Sequence, residues 1–255
     1  MASALLTRDE VLDELEFLAT ATHALIVEYR TLCCAFGNGL SAEEGGTAGD
    51  QGREASSVAA ALALSRMFHL KSINVNLVEA GRSPQLGRAD AISSVSVAEI
   101  PLRPPSAEQL ADFLAREEAI ARAMDERYKR LEPAITTTPV FQDSLLENIR
   151  RTILEEGSIH GSGVAGLRAV VGDTPPADLV IVCGREPADA FDERLLKVSD
   201  LGYRLMLSAL GDQFGQTDPF AAGSFRALAT DAMIGQDEVH SLLVVRGLLP
   251  PFTLP

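Results

Sequence analysis

The sequence predicts an all-α fold, a bundle of four long helices followed by two further helices at the C-terminal end, in one domain over residues 1–255. Three observations carry this. Apolar residues recur at helical spacing over most of the chain. Capping boxes and Gly or Pro punctuation fall at the ends of those periodic runs. No extended stretch alternates as half-buried strands do.

The first helix, about 9–36, opens at a Thr7/Glu10 capping box and stops at Gly37-Asn38-Gly39. Its inner stripe is Leu12, Leu15, Leu18, Ala19, Thr22, Leu25, Ile26, Tyr29 and Leu32. His23 and Glu28 fall roughly 100° and 120° off that stripe. Residues 38–53 are Gly-rich and acidic and are expected to be a flexible connection. The second helix, about 56–80, ends at Gly81 and Pro84 and aligns Leu62, Arg66, His69 and Ile73. Residues 82–105 are expected to be irregular. Ser106 and Gln109 cap a third helix, about 106–131, whose stripe holds Leu110, Phe113, Glu117, Met124, Tyr128 and Leu131. Pro133 and Pro139 should flank the next turn.

A fourth helix, about 140–171, aligns Ile149, Ile153, Glu156, His160 and Leu167. The loop 172–190 contains DLVIVCG, readable as a short strand or as buried coil. The two C-terminal helices span about 191–214 and 219–247.

A net charge of −14 argues against nucleic acid or an anionic membrane as partner, since either needs a basic surface. The N-terminal stretch has acids by position 9 and no long apolar core, so no secretory signal is read there. No run of about 18 apolar residues is present, which argues against a spanning helix. Cys33, Cys34 and Cys183 form neither a disulfide framework nor a metal spacing. Free thiols in a reducing cytoplasm are expected.

Gly161, Gly163 and Gly166 match the dinucleotide pattern GxGxxG. That motif needs a strand before it, whereas a helical pattern precedes it here, so close helix packing explains the glycines better. No GxSxG elbow appears, and Cys33-Cys34 lies late in an apolar helix without an activating partner. More informative is the polar set within the stripes: Thr22, Arg66, His69, Glu117, Glu156 and His160. Six polar groups facing one axis would be costly without mutual pairing or a ligand, so an interior functional pocket is expected.

Several stretches in order carry a resemblance. They are THALIVEY (22–29), RMFHLKSINVNLVEAGRSP (66–84), IPLRPPSAEQLADFLAREE (100–118), ILEEGSIH (153–160) and DAMIGQDEVHSLLVVRGLLP (231–250). Together they resemble the ferritin-like domain family associated with iminophenylpyruvate dimer synthase, an enzyme type of bacterial indole-pigment pathways. The resemblance implies a ferritin-like four-helix bundle and, in the usual member, a di-iron centre. It places His69, Glu117, Glu156 and His160 where metal ligands stand. Thr22 and Arg66 stand where two further carboxylates belong.

A guanidinium cannot deprotonate to coordinate a metal. At an effective dielectric of about 20, a cation some 5 Å from a dication is repelled by roughly 6–7 kcal/mol. The expectation is therefore a pocket without an intact di-iron centre, in which Arg66, Thr22 and Tyr29 bind a small organic substrate. Arg66, His69, Glu117, Glu156 and His160 would carry the chemistry, and no cofactor is favoured. A competing reading keeps iron on His69, Glu117, Glu156 and His160, as an oxidase or oxygenase. A third is a non-catalytic ligand-binding or structural module. By analogy with ferritin-like bundles, a homodimer is the expected assembly.

Overall fold

The structure, a computed structural model, describes residues 6–36, 47–89, 91–93, 97–99, 106, 109–137, 161–172, 175, 176, 179 and 184–255. The class is all-α. The helices are α1 (Arg8–Ala35), α2 (Thr47–Glu79), α3 (Leu110–Thr137), α4 (helical over 161–171), α5 (Ala190–Gly215) and α6 (Pro219–Val245). A hairpin of two short strands, β1 (Ala91–Ser93) and β2 (Val97–Glu99), lies between α2 and α3. No helix of the described residues is long and apolar enough to cross a membrane.

Local chemistry sets most of the ends. At α1, the Thr7 backbone N–H donates to Glu10 Oε2 at 2.7 Å, and the Glu10 N–H donates to Thr7 Oγ1 at 3.3 Å, which satisfies two helix-start donors reciprocally. Ser106 and Gln109 form the same box ahead of α3 (3.1 and 3.3 Å). α2 closes on Gly81, at φ +83°. Its N–H donates to the Val78 carbonyl at 2.9 Å, and the Arg82 N–H donates to Leu77 at 2.8 Å. This is the two-bond stop that requires a left-handed residue, hence glycine. α6 stops in the same way at Gly247 (φ +69°), and Leu248 packs back on Leu243. Asp189 and Asp218 cap α5 and α6 through their carboxylates.

Several expectations are corrected. The helix read as starting near 56 begins at Thr47, taking in half of the segment read as a flexible connection. Asp50 suits a helix start and pairs with Arg53, while the Gln51 amide donates to the Val170 carbonyl at 2.6 Å, at the end of α4. Pro133 lies inside α3 rather than flanking it, and the helix begins at 110 rather than 106. Pro133 lacks an N–H, so one ladder bond is absent there. The stretch 82–105 is not wholly irregular: Ala91↔Glu99, Ile92↔Ala98 and Ser93↔Val97 pair antiparallel. The greater part of the 140–171 helix, with Glu156 and His160, lies outside the described residues. So do Cys183 and most of DLVIVCG.

The chain divides into two compact units. The first comprises Met1–Ile26, Leu62–Pro101 and Asp112–Arg168, the second Val27–Ala61, Leu102–Ala111 and Ala169–Pro255. In the first, Glu14 receives Arg127 at 2.5 Å and Arg130 at 3.0 Å, and Arg127 stacks 4.3 Å from the Phe17 ring centroid. Gly163 sits so close to Leu62 that a Cβ there would collide with the leucine side chain. That agrees with close packing for this glycine, whereas Gly161 and Gly166 face open space.

In the second unit α5 and α6 pack as a helical hairpin around Leu195, Leu243 and Leu248. Val27, Tyr203, Leu207 and Phe252 form a second cluster. Phe252 holds a φ of +46°, unusual for an aromatic residue. Its burial, and the Thr253 N–H donating to Asp200 Oδ1 at 3.0 Å, hold the turn.

Asp192 is fully buried at the start of this hairpin, yet ionised. The Ala188 N–H at 2.9 Å holds its carboxyl down to about 2, against burial and with help from Arg246 and then Arg185 at 2.7 Å. Its folded value lies below the ordinary 3.8. The stabilisation is therefore complete above about pH 4 and is lost as pH falls through about 2. Asp192→Asn should lower the melting temperature at pH 7 and flatten the decline between pH 4 and pH 2. An unchanged acid branch in thermal scans would contradict this.

Candidate functional site

The candidate site belongs to the first unit and is built by α1, α2 and α3. From Ala21 to Tyr29 every residue of α1 is buried, on all sides of the helix. This corrects the placing of His23 and Glu28 off the inner stripe: both are inside. A helix apolar over most of its circumference is enclosed rather than amphipathic, so angular position no longer separates inner from outer residues.

Thr22 and His23 come from α1, Arg66 and His69 from α2, and Glu117 and Tyr128 from α3; all are buried. Arg66 is 1% exposed and ranks first by volume among the fully buried side chains, and Glu117 is 0% exposed. The Arg66 charge and the Thr22 side chain both act on Tyr128. Burial pushes the Tyr128 hydroxyl up to about 12, while the neighbouring Arg66 charge and the Thr22 side chain both favour the phenolate and work against that rise. At neutral pH Tyr128 is thus a neutral phenol beside a guanidinium and a threonine hydroxyl, an array rich in donors. Tyr128 is a site residue that the polar-stripe argument passed over. It stands eleven residues after Glu117, which returns to nearly the same helix face, so the pattern contained the signal.

His23 has a defined tautomer. Its Nδ1 lies 2.8 Å from the Leu86 carbonyl and 3.1 Å from that of Gly87, so Nδ1 carries the proton and donates. Burial drives its pKa down to about 4; the Gly87 carbonyl opposes this and Arg88 adds to it. The receiving segment, 82–89, is strapped down at several points. The Asn74 amide donates to Gln85 at 3.1 Å, the Ala89 N–H donates to Thr20 at 3.1 Å, and Arg82 reaches Asp13 and Glu16 at 3.1 and 3.3 Å.

Tyr29, predicted to bind substrate, is buried and belongs to the second unit. Glu156 and His160 lie outside the described residues. Among the described residues no three His, Cys, Asp or Glu side chains converge as a metal-binding group.

The second unit holds its own buried ionisable cluster. Arg30 pairs with Asp237 and donates to His240 Nδ1 at 3.2 Å, which leaves the proton of the neutral ring on Nε2. Burial, then the Arg30 charge, push His240 down to about 3. The ring meets Phe252 edge to face at 5.3 Å. Nearby, Cys33 Sγ donates to the Ser56 carbonyl at 3.5 Å, and burial lifts its thiol to about 12. A thiol so held is not a nucleophile at neutral pH.

Comparison with known proteins returned nothing: no family, no curated protein and no solved structure matches the chain.

Proposed function

We propose that the chain is a ferritin-like enzyme of bacterial secondary metabolism that binds a small organic carboxylate in the interior of its helical bundle. The single observation carrying this reading is a guanidinium with 1% exposure whose charge, together with the Thr22 side chain, acts on a neutral Tyr128. A planar fork of N–H donors matches the two oxygens of a carboxylate, and a threonine hydroxyl and a phenol add further donors of the kind a carboxylate accepts. Arg66 holds the anion, and Thr22 and Tyr128 orient it by hydrogen bonds. His69 moves the proton at the reacting atom, with Glu117 buried in the same unit as its electrostatic complement. Glu156 and His160 complete the set in the reading drawn from the family resemblance.

The described donors do not fit a pair of irons. Thr22 and Arg66, both buried, stand at two of the positions where the resemblance requires carboxylates, and a buried cation opposes two dications. No step of the proposal runs through a metal.

Isothermal titration with indole-3-carboxylate and with indole-3-carboxamide tests the reading. The acid is expected to bind and the amide to bind at least tenfold more weakly. Arg66→Gln should remove the difference by weakening the acid alone. Equal affinity for both probes would refute carboxylate recognition. Near-stoichiometric iron in protein grown with the metal, lost in Glu117→Gln and His69→Ala, would replace the proposal with the oxidase reading.

A further inference from the structure

Helix α5 buries Asp192, Leu195, Ser199, Tyr203, Leu207 and Ala209 on one side. Its other side carries a second pattern. Phe191, Arg194, Val198, Leu201, Leu205, Ser208, Asp212 and Gly215 alternate at steps of three and four, and every one of them is exposed. Leu201 is 62% and Val198 53% exposed. Four of the eight, Phe191, Val198, Leu201 and Leu205, are apolar, and Val198, Leu201 and Leu205 give the middle of an a/d stripe of the kind that forms a coiled-coil seam. α5 thus has a buried face and, opposite it, an apolar stripe that is exposed among the described residues.

We infer that the outer seam of α5 pairs with the same seam of a second copy, antiparallel about a two-fold axis at the level of Tyr203. The register follows from the residues. A two-fold axis there sets Leu201 against Leu205 of the other copy, Val198 against Ser208, Arg194 against Asp212, and Phe191 against Gly215. Each layer joins an a position to a d position, the arrangement antiparallel coiled coils require, and each contact occurs twice, as in any isologous interface. Four leucines make the centre, an Arg–Asp pair closes each flank, and the large Phe191 meets the residue with no side chain.

Charge favours this helix as the meeting place. Two copies carrying −14 each repel. α5, with four acids and three bases, is nearly neutral. Among the described residues no ion pair holds Arg194 or Asp212 within the chain, so both are available across the axis. Arg204 flanks the axis on both copies and opposes the contact; in solvent that repulsion is screened beyond about 8 Å at physiological salt.

Sedimentation equilibrium on the full chain tests the inference. The parent should be a reversible dimer. Leu201→Glu and Leu205→Glu should each raise the dissociation constant about a hundredfold or more, since each change is counted twice at the core. Folding should be unaffected at these exposed sites, as judged by circular dichroism and melting temperature. Arg194→Asp and Asp212→Arg should each weaken the dimer about tenfold, and the combined variant should restore it. Restoration is specific to the antiparallel register, because a parallel pair would set like charges together in every case. A chain that stays monomeric at all concentrations overturns the inference. So does a dimer blind to Leu201→Glu but broken by Ile234→Glu or Val245→Glu on the exposed face of α6.

Discussion

Acidification from pH 6.5 to pH 4 should unfold this protein well before its carboxylates are exhausted, because two buried histidines are held neutral. His23 is pushed down to about 4 and His240 to about 3, each from an ordinary 6.5. Both folded values lie below the unfolded one. The stabilisation is complete above pH 6.5 and is lost as pH falls toward the folded values, because the unfolded chain takes up protons that the folded chain refuses. By pH 4 the loss is about 3 kcal/mol for each histidine. A domain is stable by about 5–15 kcal/mol in total, so the loss is decisive.

The two sites belong to different units, so each unit carries its own acid-labile group. The measurable quantity is the slope of stability against pH between 6 and 5 in urea titrations. Each histidine contributes about 1.4 kcal/mol per pH unit to it. His240→Gln keeps an acceptor for Arg30, and His23→Asn keeps a donor for the Leu86 and Gly87 carbonyls. Either alone should remove one such increment, and the double variant both. Slopes parallel to the parent in all three variants would refute the assignment.

Arg66→Met should cost about 3–5 kcal/mol of stability, the range for removing one partner of a buried charge pair. The motivating fact is that Arg66 and Glu117 are both sealed from water within one unit, where Glu117 also has Arg116 at 3.9 Å. Methionine fills much of the space left by the arginine stem, so the loss reports charge more than cavity. Glu117→Gln should cost a comparable amount. If each charge compensates the other, Arg66→Met/Glu117→Gln should recover most of the loss, because a pair removed together leaves no bare ion. Additive losses would show that Arg66 is balanced elsewhere. Arg66→Lys should not rescue, since an ammonium is a compact point charge without the planar fork. Urea denaturation of the four variants, analysed as a double-mutant cycle, supplies the coupling.

What the sequence determined by itself was everything decided within a few residues along the chain. The caps at Thr7/Glu10 and Ser106/Gln109 and the stop at Gly81 are local hydrogen-bonding problems with local solutions. So are the helical stripes, since the backbone ladder joins residues four apart. The stripes also marked Thr22, Arg66, His69 and Glu117 as interior, and all four are buried. What only the tertiary structure decided depends on neighbours far away in the chain. Periodicity assigns a helix one inner face, but the number of faces that become inner is set by what surrounds it. Hence His23 and Glu28, off the stripe of α1, are enclosed as fully as Thr22. A helix start at Thr47 became worthwhile once Gln51 could meet the end of α4, more than a hundred residues on. Asp192 owes its charge first to the nearby Ala188 N–H, but the help it receives from Arg246, 54 residues on, is something no spacing along α5 would reveal. Tyr128 joined the site for the same reason: Arg66 and Thr22, which act on its hydroxyl, lie on other helices, and only packing lets them do so.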